Sequence, residues 1–237
     1  MSEAPPPPQT VLVVMAHPDD AEFCCGGVVK QMTAQGVRVI YAVLTNGDKG
    51  NHDTTVSAAQ LIARRMEEQR RAAALLGVHE VIFLGEEDGF LQPTRELRKR
   101  LVRLIRHYRP DIVICQNPEA YFRGEHYINH PDHRNAGLVT IEAIFPAAGN
   151  PMFFPDLLAE GLMPHKVREL WLCMVDNPNH RVDITETMDA KIAALRQHES
   201  QFDDLDAMER WVREHWAERG PEDELRYYED FRRMWFD

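Results

Sequence analysis

Val11-Leu12-Val13-Val14-Met15-Ala16-His17-Pro18-Asp19-Asp20-Ala21 joins a run of apolar residues to a turn that carries one imidazole and two adjacent carboxylates. A short, continuous apolar run bounded by a turn reads as a strand buried on both faces, as in a parallel sheet. The turn suits a cation and not a phosphate. A dinucleotide-binding domain places G-x-G-x-x-G here so that backbone N–H groups can approach a pyrophosphate, whereas Asp19 and Asp20 would repel one. The two carboxylates also repel each other, and a bound cation lets both stay ionised.

Outward from this stretch, apolar runs alternate with segments of helical period. Strands are expected at 11–15, 37–44, 81–84, 111–115 and 170–175, and helices around 27–35, 57–76, 95–107, 134–143 and 185–198. Ser57 can cap the second helix, while Gly36 and Gly77 act as helix stops. This alternation predicts right-handed crossovers and an α/β, Rossmann-like fold: a mostly parallel sheet with helices on both faces, followed by a C-terminal helical tail. In the doubly wound order 3-2-1-4-5-6, strands 1 and 4 are neighbours, and ligands bind where the winding reverses between them. A second cluster, His130-Pro131-Asp132-His133-Arg134, follows strand 4 and is thereby expected to meet the first. With a helix starting near Pro131, His130 and His133 lie three apart on one side of its first turn, and Asp132 points elsewhere, free to orient a ligand imidazole from behind.

The 237 residues, 44% of them apolar, suffice for one α/β domain with a real core. Residues 1–9, with prolines at 5–8, read as an extended or disordered leader, 10–200 as the main domain, and 201–237 as a helical extension. The extension holds Trp211, Trp216 and Trp235, which pack on their own domain or on a neighbouring subunit, so a homo-oligomer is expected. The loop over 149–165 reads as a lid or subunit contact. A formal charge of −11 argues against nucleic acid or an anionic membrane as partner and favours a small neutral or cationic substrate. Met1 to Thr10 has no basic or apolar targeting region and no run approaches a membrane span, so a cytoplasmic setting is expected. Cys24, Cys25, Cys115 and Cys173 lack zinc-ribbon or redox spacing and read as small buried thiols. The basic residues over 95–109 read as a solvated face, and His52, His79, His107, His165 and His198 as surface or hydrogen-bonded imidazoles; His126 lies close enough to the second cluster to stay open.

The paired motifs Ala16-His17-Pro18-Asp19-Asp20 with Glu22, and His130-Pro131-Asp132-His133-Arg134, resemble those of the LmbE-like or PIG-L family of metal-dependent deacetylases. The likeness extends over roughly residues 11–200, taking in Leu44-Thr45-Asn46-Gly47-Asp48, Arg65 to Val78, and Phe83-Leu84-Gly85 with Asp88-Gly89. The single residue between Asp20 and Glu22 looks more like the bacillithiol-pathway and diacetylchitobiose deacetylase branches. The resemblance implies His17, Asp20 and His133 as ligands of Zn2+, Asp19 as general base, His130 on the oxyanion side and Asp132 behind the ligands. It also implies that Arg65 and Asp88 contact substrate. Some members have a tyrosine two residues before His130, where this chain has Ile128, with Tyr127 preceding it.

Amide hydrolysis needs a nucleophile at neutral pH, a stabilised oxyanion and a proton for the leaving amine. Three protein ligands leave zinc one open position for water, and Asp19, next to ligand Asp20, can take a proton from the opposite side of the turn. A protonated His130 can serve either the oxyanion or the leaving nitrogen. The same donor set suits Fe2+, Co2+ or Ni2+. The expected function is removal of an acetyl group from an N-acetylglucosamine-type sugar or small glycoconjugate. The alternatives are an amidase of the same family that cleaves a larger acyl group, and a metal-binding module without turnover; a phosphoesterase would want more bridging carboxylates.

Overall fold

A computed structural model of the chain describes residues 6–220 and 222–236, so most of the expected 1–9 leader lies outside the described residues. The first half alternates strand and helix: β1 (Thr10–Met15), α1 (Asp20–Ala34), β2 (Arg38–Thr45), α2 (Ala58–Leu76), β3 (Glu80–Glu86), α3 (Arg95–Tyr108) and β4 (Ile112–Gln116). A two-strand hairpin, β5 (Phe122–Arg123) and β6 (Tyr127–Ile128), precedes α4 (Pro131–Glu142). The short α5 (Pro155–Ala159), β7 (Glu169–Cys173), β8 (His180–Asp183), α6 (Met188–Leu195), α7 (Leu205–Trp216), β9 (Ala217–Arg219) and β10 (Leu225–Trp235) complete the chain.

The sheet runs β3-β2-β1-β4-β7-β10-β8, parallel as far as β7 and antiparallel from β10 onward. β1 is buried along its apolar length and divides its side chains between two cores. Val11, Val13 and Met15 pack with α1, α2 and α6, while Leu12, Val14 and Ala16 pack with α3 and α4. Local signals set the helix ends. Ser57 and Gln60 form a reciprocal capping box, and Gly77 closes α2 in the left-handed region. β1 and β4 are hydrogen-bonded neighbours, Val11 opposite Ile112 through Val14 opposite Cys115, so the turns after both open at one edge.

Three expectations need correction. The C-terminal extension is helical only to Trp216; Leu225–Trp235 is a strand that pairs with β7 and β8. Its core face carries Tyr227, Glu229 and Phe231, and the buried Glu229 interrupts the apolar alternation by which a strand is recognised. Helix α1 begins at Asp20, not near Gly27. It bends at Cys25 (φ −148°, ψ 19°), and the Gly27 and Val28 N–H groups donate to Glu229 at 2.9 and 2.8 Å, so the second half is capped from β10. Arg106 does not join the solvated face of α3. It is 2% exposed and donates to the carbonyls of Ala147, Ala148, Asn150 and Phe153, holding down the following loop.

Candidate metal centre and its cavity

Asp19 is the pivot of the first turn. It adopts φ 97°, a left-handed conformation that costs a non-glycine residue roughly 1–3 kcal/mol. Its backbone N–H donates to Gln69 Oε1 of α2 at 2.9 Å, and Arg65 donates to Pro18 O at 2.7 Å and to Asp19 Oδ2 at 3.3 Å, so α2 holds the strained residue on both sides. Beyond it, Asp20 and Glu22 occupy the first turn of α1, where the helix dipole favours anions. The His17 backbone N–H closes the turn on Asp20 Oδ2 at 2.7 Å.

Three donor atoms converge there. His17 Nδ1 lies 3.2 Å from Asp20 Oδ2 and 3.2 Å from His133 Nε2, and His133 Nε2 lies 3.1 Å from Asp20 Oδ1. Ligands at about 2.0–2.1 Å from a tetrahedral ion stand roughly 3.3 Å apart, so the three atoms fit one metal ion. Each imidazole is held from behind. His17 Nε2 faces Asp132 Oδ2 and Asp88 Oδ1, both at 3.2 Å, and His133 Nδ1 meets Asn129 Oδ1 at 3.0 Å. Asp132 is in turn fixed by the N–H groups of Gly89 (2.7 Å) and Leu91 (3.2 Å). His17, Asp88, His130 and Asp132 form a second converging group, but Asp132 is fully buried, whereas Asp20 and His133 open onto a cavity. Of the two groups, His17, Asp20 and His133 are the one that has space for an open coordination position beside it.

The charges agree with this. Burial disfavours a cation on His17, yet its hydrogen bonds to Asp132, Asp20 and Asp88 outweigh burial and raise its pKa well above the usual range. Burial pushes the Asp19 carboxyl up, with Arg65 opposing. On Asp132, burial is overcome by hydrogen bonds from His17 and the Gly89 N–H, and its pKa falls. Carboxylates so closely packed call for a positive charge at their centre.

His130 is the N-cap of α4. The Asp132 backbone N–H donates to its Nδ1 at 3.2 Å, which leaves the ring proton on Nε2, and the ring stands edge-on to His17 with centroids 4.7 Å apart. Burial, followed by His17, lowers its pKa.

Arg65 and Asp88, implied by the resemblance to contact substrate, lie at the metal-binding residues and are bonded to them and to their turns. Arg65 is 3% exposed, and besides Pro18 and Asp19 it binds Gly47 O at 3.1 Å. Its guanidinium occupies space that a Cβ at Gly47 or Gly50 would fill, at 2.7 and 2.3 Å. Asp88 is buried behind His17 and accepts the Lys49 N–H at 3.3 Å. Tyr127 and Ile128 lie on the exposed hairpin strand β6, and His126 is exposed in its turn.

Several supporting residues escaped the sequence reading. Gln69 also donates to Glu22 Oε1 at 2.9 Å, and Glu22 Oε2 meets the fully buried His198 at 3.3 Å, so a buried chain runs from Asp19 to the turn after α6. Asn129 adjoins the second motif, but nothing in its type or spacing marks it as the partner of His133. The cavity, 740 Å³, runs from Asp19, Asp20 and His133 to Trp211, Trp216 and Tyr228 of the C-terminal segment. Cys24 lines it, and Cys25 is buried beneath; neither joins the metal-binding groups.

Comparison with known proteins agrees with this geometry. The PIG-L family profile, described as GlcNAc-PI de-N-acetylase, matches residues 12–144. Diacetylchitobiose deacetylase of Thermococcus kodakarensis is 41% identical over 201 residues, covering 85% of this chain and 73% of that protein. A probable N-acetyl-alpha-D-glucosaminyl L-malate deacetylase of Bacillus anthracis is 28% identical, covering 81% of each chain. The structure of N,N'-diacetylchitobiose deacetylase from Pyrococcus horikoshii, complexed with its inhibitor MPG, superposes with a TM-score of 0.87 at 35% identity, over 96% of this chain and 84% of that one. With the profile spanning more than half of its length and a relative this similar across most of it, the chain belongs to the PIG-L family of de-N-acetylases.

Proposed function

We propose that this protein hydrolyses the N-acetyl amide of an N-acetylglucosamine-type sugar, releasing acetate and a free amine, with zinc held by His17, Asp20 and His133. The observation that carries the reading is the convergence of these three donors, 3.1–3.2 Å apart, on a cavity wall shared with Asp19. The relatives named as deacetylases of N-acetylated sugars support the substrate class. Two imidazoles and one carboxylate are a zinc donor set. A bound divalent ion supplies Lewis acidity, lowering the pKa of water and polarising the amide carbonyl.

The chain's own residues do the rest. The Asp19 carboxylate faces the cavity beside Asp20, placed to take a proton from the attacking water as the C–O bond forms and to return it to nitrogen as the C–N bond breaks. Arg65, 3.3 Å from Asp19 Oδ2, fixes the direction of that carboxylate. His130 contributes its Nε2–H as a donor for the oxygen that gains charge in the tetrahedral state. Asp132, Asp88 and Asn129 keep the ligand imidazoles in orientation.

The test is acetate release by zinc-loaded protein from N-acetylglucosamine and diacetylchitobiose, beside chelator-stripped protein. Equimolar acetate and free amine that vanish on stripping and return with zinc are expected. No acetate from either sugar with metal bound overturns the proposal.

A further inference from the structure

The direction of one side-chain amide decides how the turn at Asp19 is held. The Asp19 backbone N–H, in a residue at φ 97°, donates to Gln69 Oε1 at 2.9 Å. The two ends of a glutamine amide have nearly the same shape, but only the oxygen accepts. A Gln69 amide turned the other way would set its NH2 against the Asp19 N–H and leave the turn unheld on that side. Glu22 fixes the direction, because its Oε1 accepts from Gln69 Nε2 at 2.9 Å. A carboxylate only accepts, so it draws the NH2 end to itself and leaves the oxygen for Asp19.

Glu22 is held in turn by His198. Its second oxygen, Oε2, meets His198 Nε2 at 3.3 Å, and it bonds no lysine or arginine among the described residues. Glu22, Gln69 and His198 are all fully buried, where a carboxylate without partners is costly. The imidazole is committed to this one contact. Its Nδ1 has no partner among the described residues, so the ring carries its proton on Nε2, directed at Glu22. The turn that bears His198 is itself fixed on α2, the helix of Gln69: the Ser200 N–H and Oγ donate to the buried Glu68 at 2.9 and 2.6 Å.

Resting on the deacetylase reading above, we propose that His198 is a positioning residue for the reaction, acting through Glu22 and Gln69 to hold Asp19 in its left-handed conformation. By donating to Glu22 it sets the direction of the Gln69 amide, and that direction aims the Asp19 carboxylate at the cavity. Without the donor, Glu22 is left with a buried oxygen that has no partner, and the Gln69 amide loses the group that tells its ends apart. The turn at Asp19 is then free to relax from its strained φ. A misplacement of about 1 Å costs on the order of 10²-fold in rate, so the loss falls on turnover and not on substrate binding.

Steady-state acetate release from diacetylchitobiose by zinc-loaded protein tests this, with metal content and melting midpoint read on every sample. His198→Leu is expected to bind one metal per chain and to lose about 10- to 100-fold in kcat, with KM within about twofold of the parent. In 15N-labelled protein its Asp19 amide is expected to exchange hydrogen at least roughly tenfold faster. Gln69→Leu cuts the same path one link nearer to Asp19 and is expected to show the same split between kcat and KM. His198→Gln offers an N–H close to the position of Nε2 and is expected to recover most of the loss. Ile105→Ala, buried in the opposite core, controls for stability alone: it melts lower and keeps the parent's kcat. An unchanged kcat in His198→Leu or Gln69→Leu overturns the proposal, as does unchanged Asp19 exchange in His198→Leu. So does a loss carried by KM, a His198→Gln no better than His198→Leu, or an Ile105→Ala that loses as much kcat. A parent that releases no acetate overturns the deacetylase reading, and the positioning role with it.

Discussion

Glu229 is the residue through which the last strand grips the catalytic end of the fold, and replacing it with glutamine should be costly. It is fully buried. One oxygen accepts from Gly27 N–H at 2.9 Å and Lys191 Nζ at 2.6 Å, and the other accepts from Val28 N–H at 2.8 Å. Glu229→Gln keeps the volume but strands the Lys191 ammonium and turns an amide N–H toward groups that are themselves donors. Breaking one side of a buried ion pair costs about 3–5 kcal/mol. Lys191 keeps the Phe23 carbonyl at 2.6 Å and the Trp216 face, which argues for the lower end, about 3 kcal/mol. For a chain of this size that is a fall in melting midpoint of roughly 6–12 °C. Adding Lys191→Met removes the stranded charge and should recover at least 2 kcal/mol in a double-mutant cycle. Thermal unfolding for the midpoint and urea unfolding for the cycle, both followed by circular dichroism with metal at one fixed excess, measure these. A Glu229→Gln midpoint within about 2 °C of the parent, or a double variant as unstable as the sum of the singles, would show that Glu229 and Lys191 are not coupled in this way.

Other outcomes follow from the same structure. Asn129→Ala should weaken zinc binding about 10- to 100-fold in a competition titration, because His133 loses the partner that orients its ring. An affinity equal to the parent's would remove Asn129 from that role. Gly137→Ala should destabilise by at least roughly 1–3 kcal/mol, because a Cβ there meets the Gln116 carbonyl oxygen at 2.1 Å where α4 crosses β4. An unchanged urea midpoint would contradict this. Burial raises the Glu169 carboxyl, but hydrogen bonds from Arg233 and Trp171 prevail and hold its pKa below 4.5. With a depressed folded value, its contribution to stability is complete above pH 4.5 and is lost as pH falls through the lowered value. Glu169→Gln should therefore cost stability at pH 7 and progressively less below pH 4.5 in parallel melts, and a pH-independent difference would refute the sign.

The architecture was legible because residues 11–15 and 112–115 are continuous apolar runs, and because Ser57 and Thr94 cap the two helices that precede β3 and β4. β1 and β4 are neighbours where the winding reverses, so His17, Asp19 and Asp20 share a crevice with His130, Asp132 and His133, more than a hundred positions away. Legibility ends where partners are set by packing. Gln69 reaches the Asp19 backbone from 50 positions downstream, and His198 reaches Glu22 across 176. Neither carries a local pattern, because each is a single polar residue whose partner only the tertiary fold supplies. Arg65 and Asp88 stand out in the sequence only through the family resemblance, because the glycines at 47 and 50 that make room for the guanidinium carry no local sign of that role. β10 went unrecognised because Glu229 occupies a core position that alternation reserves for an apolar residue. Its burial makes sense only with Lys191 opposite and two free helix N–H groups above it.

Whether Asp19 is the general base beside a bound metal is decided on zinc-loaded Asp19→Asn. Metal content by elemental analysis and acetate release from diacetylchitobiose are read on the same sample. One bound metal per chain is expected, as in the parent, with turnover reduced about 10²- to 10⁴-fold, the range of a positioned general base. Turnover equal to the parent's with metal fully bound would contradict that role.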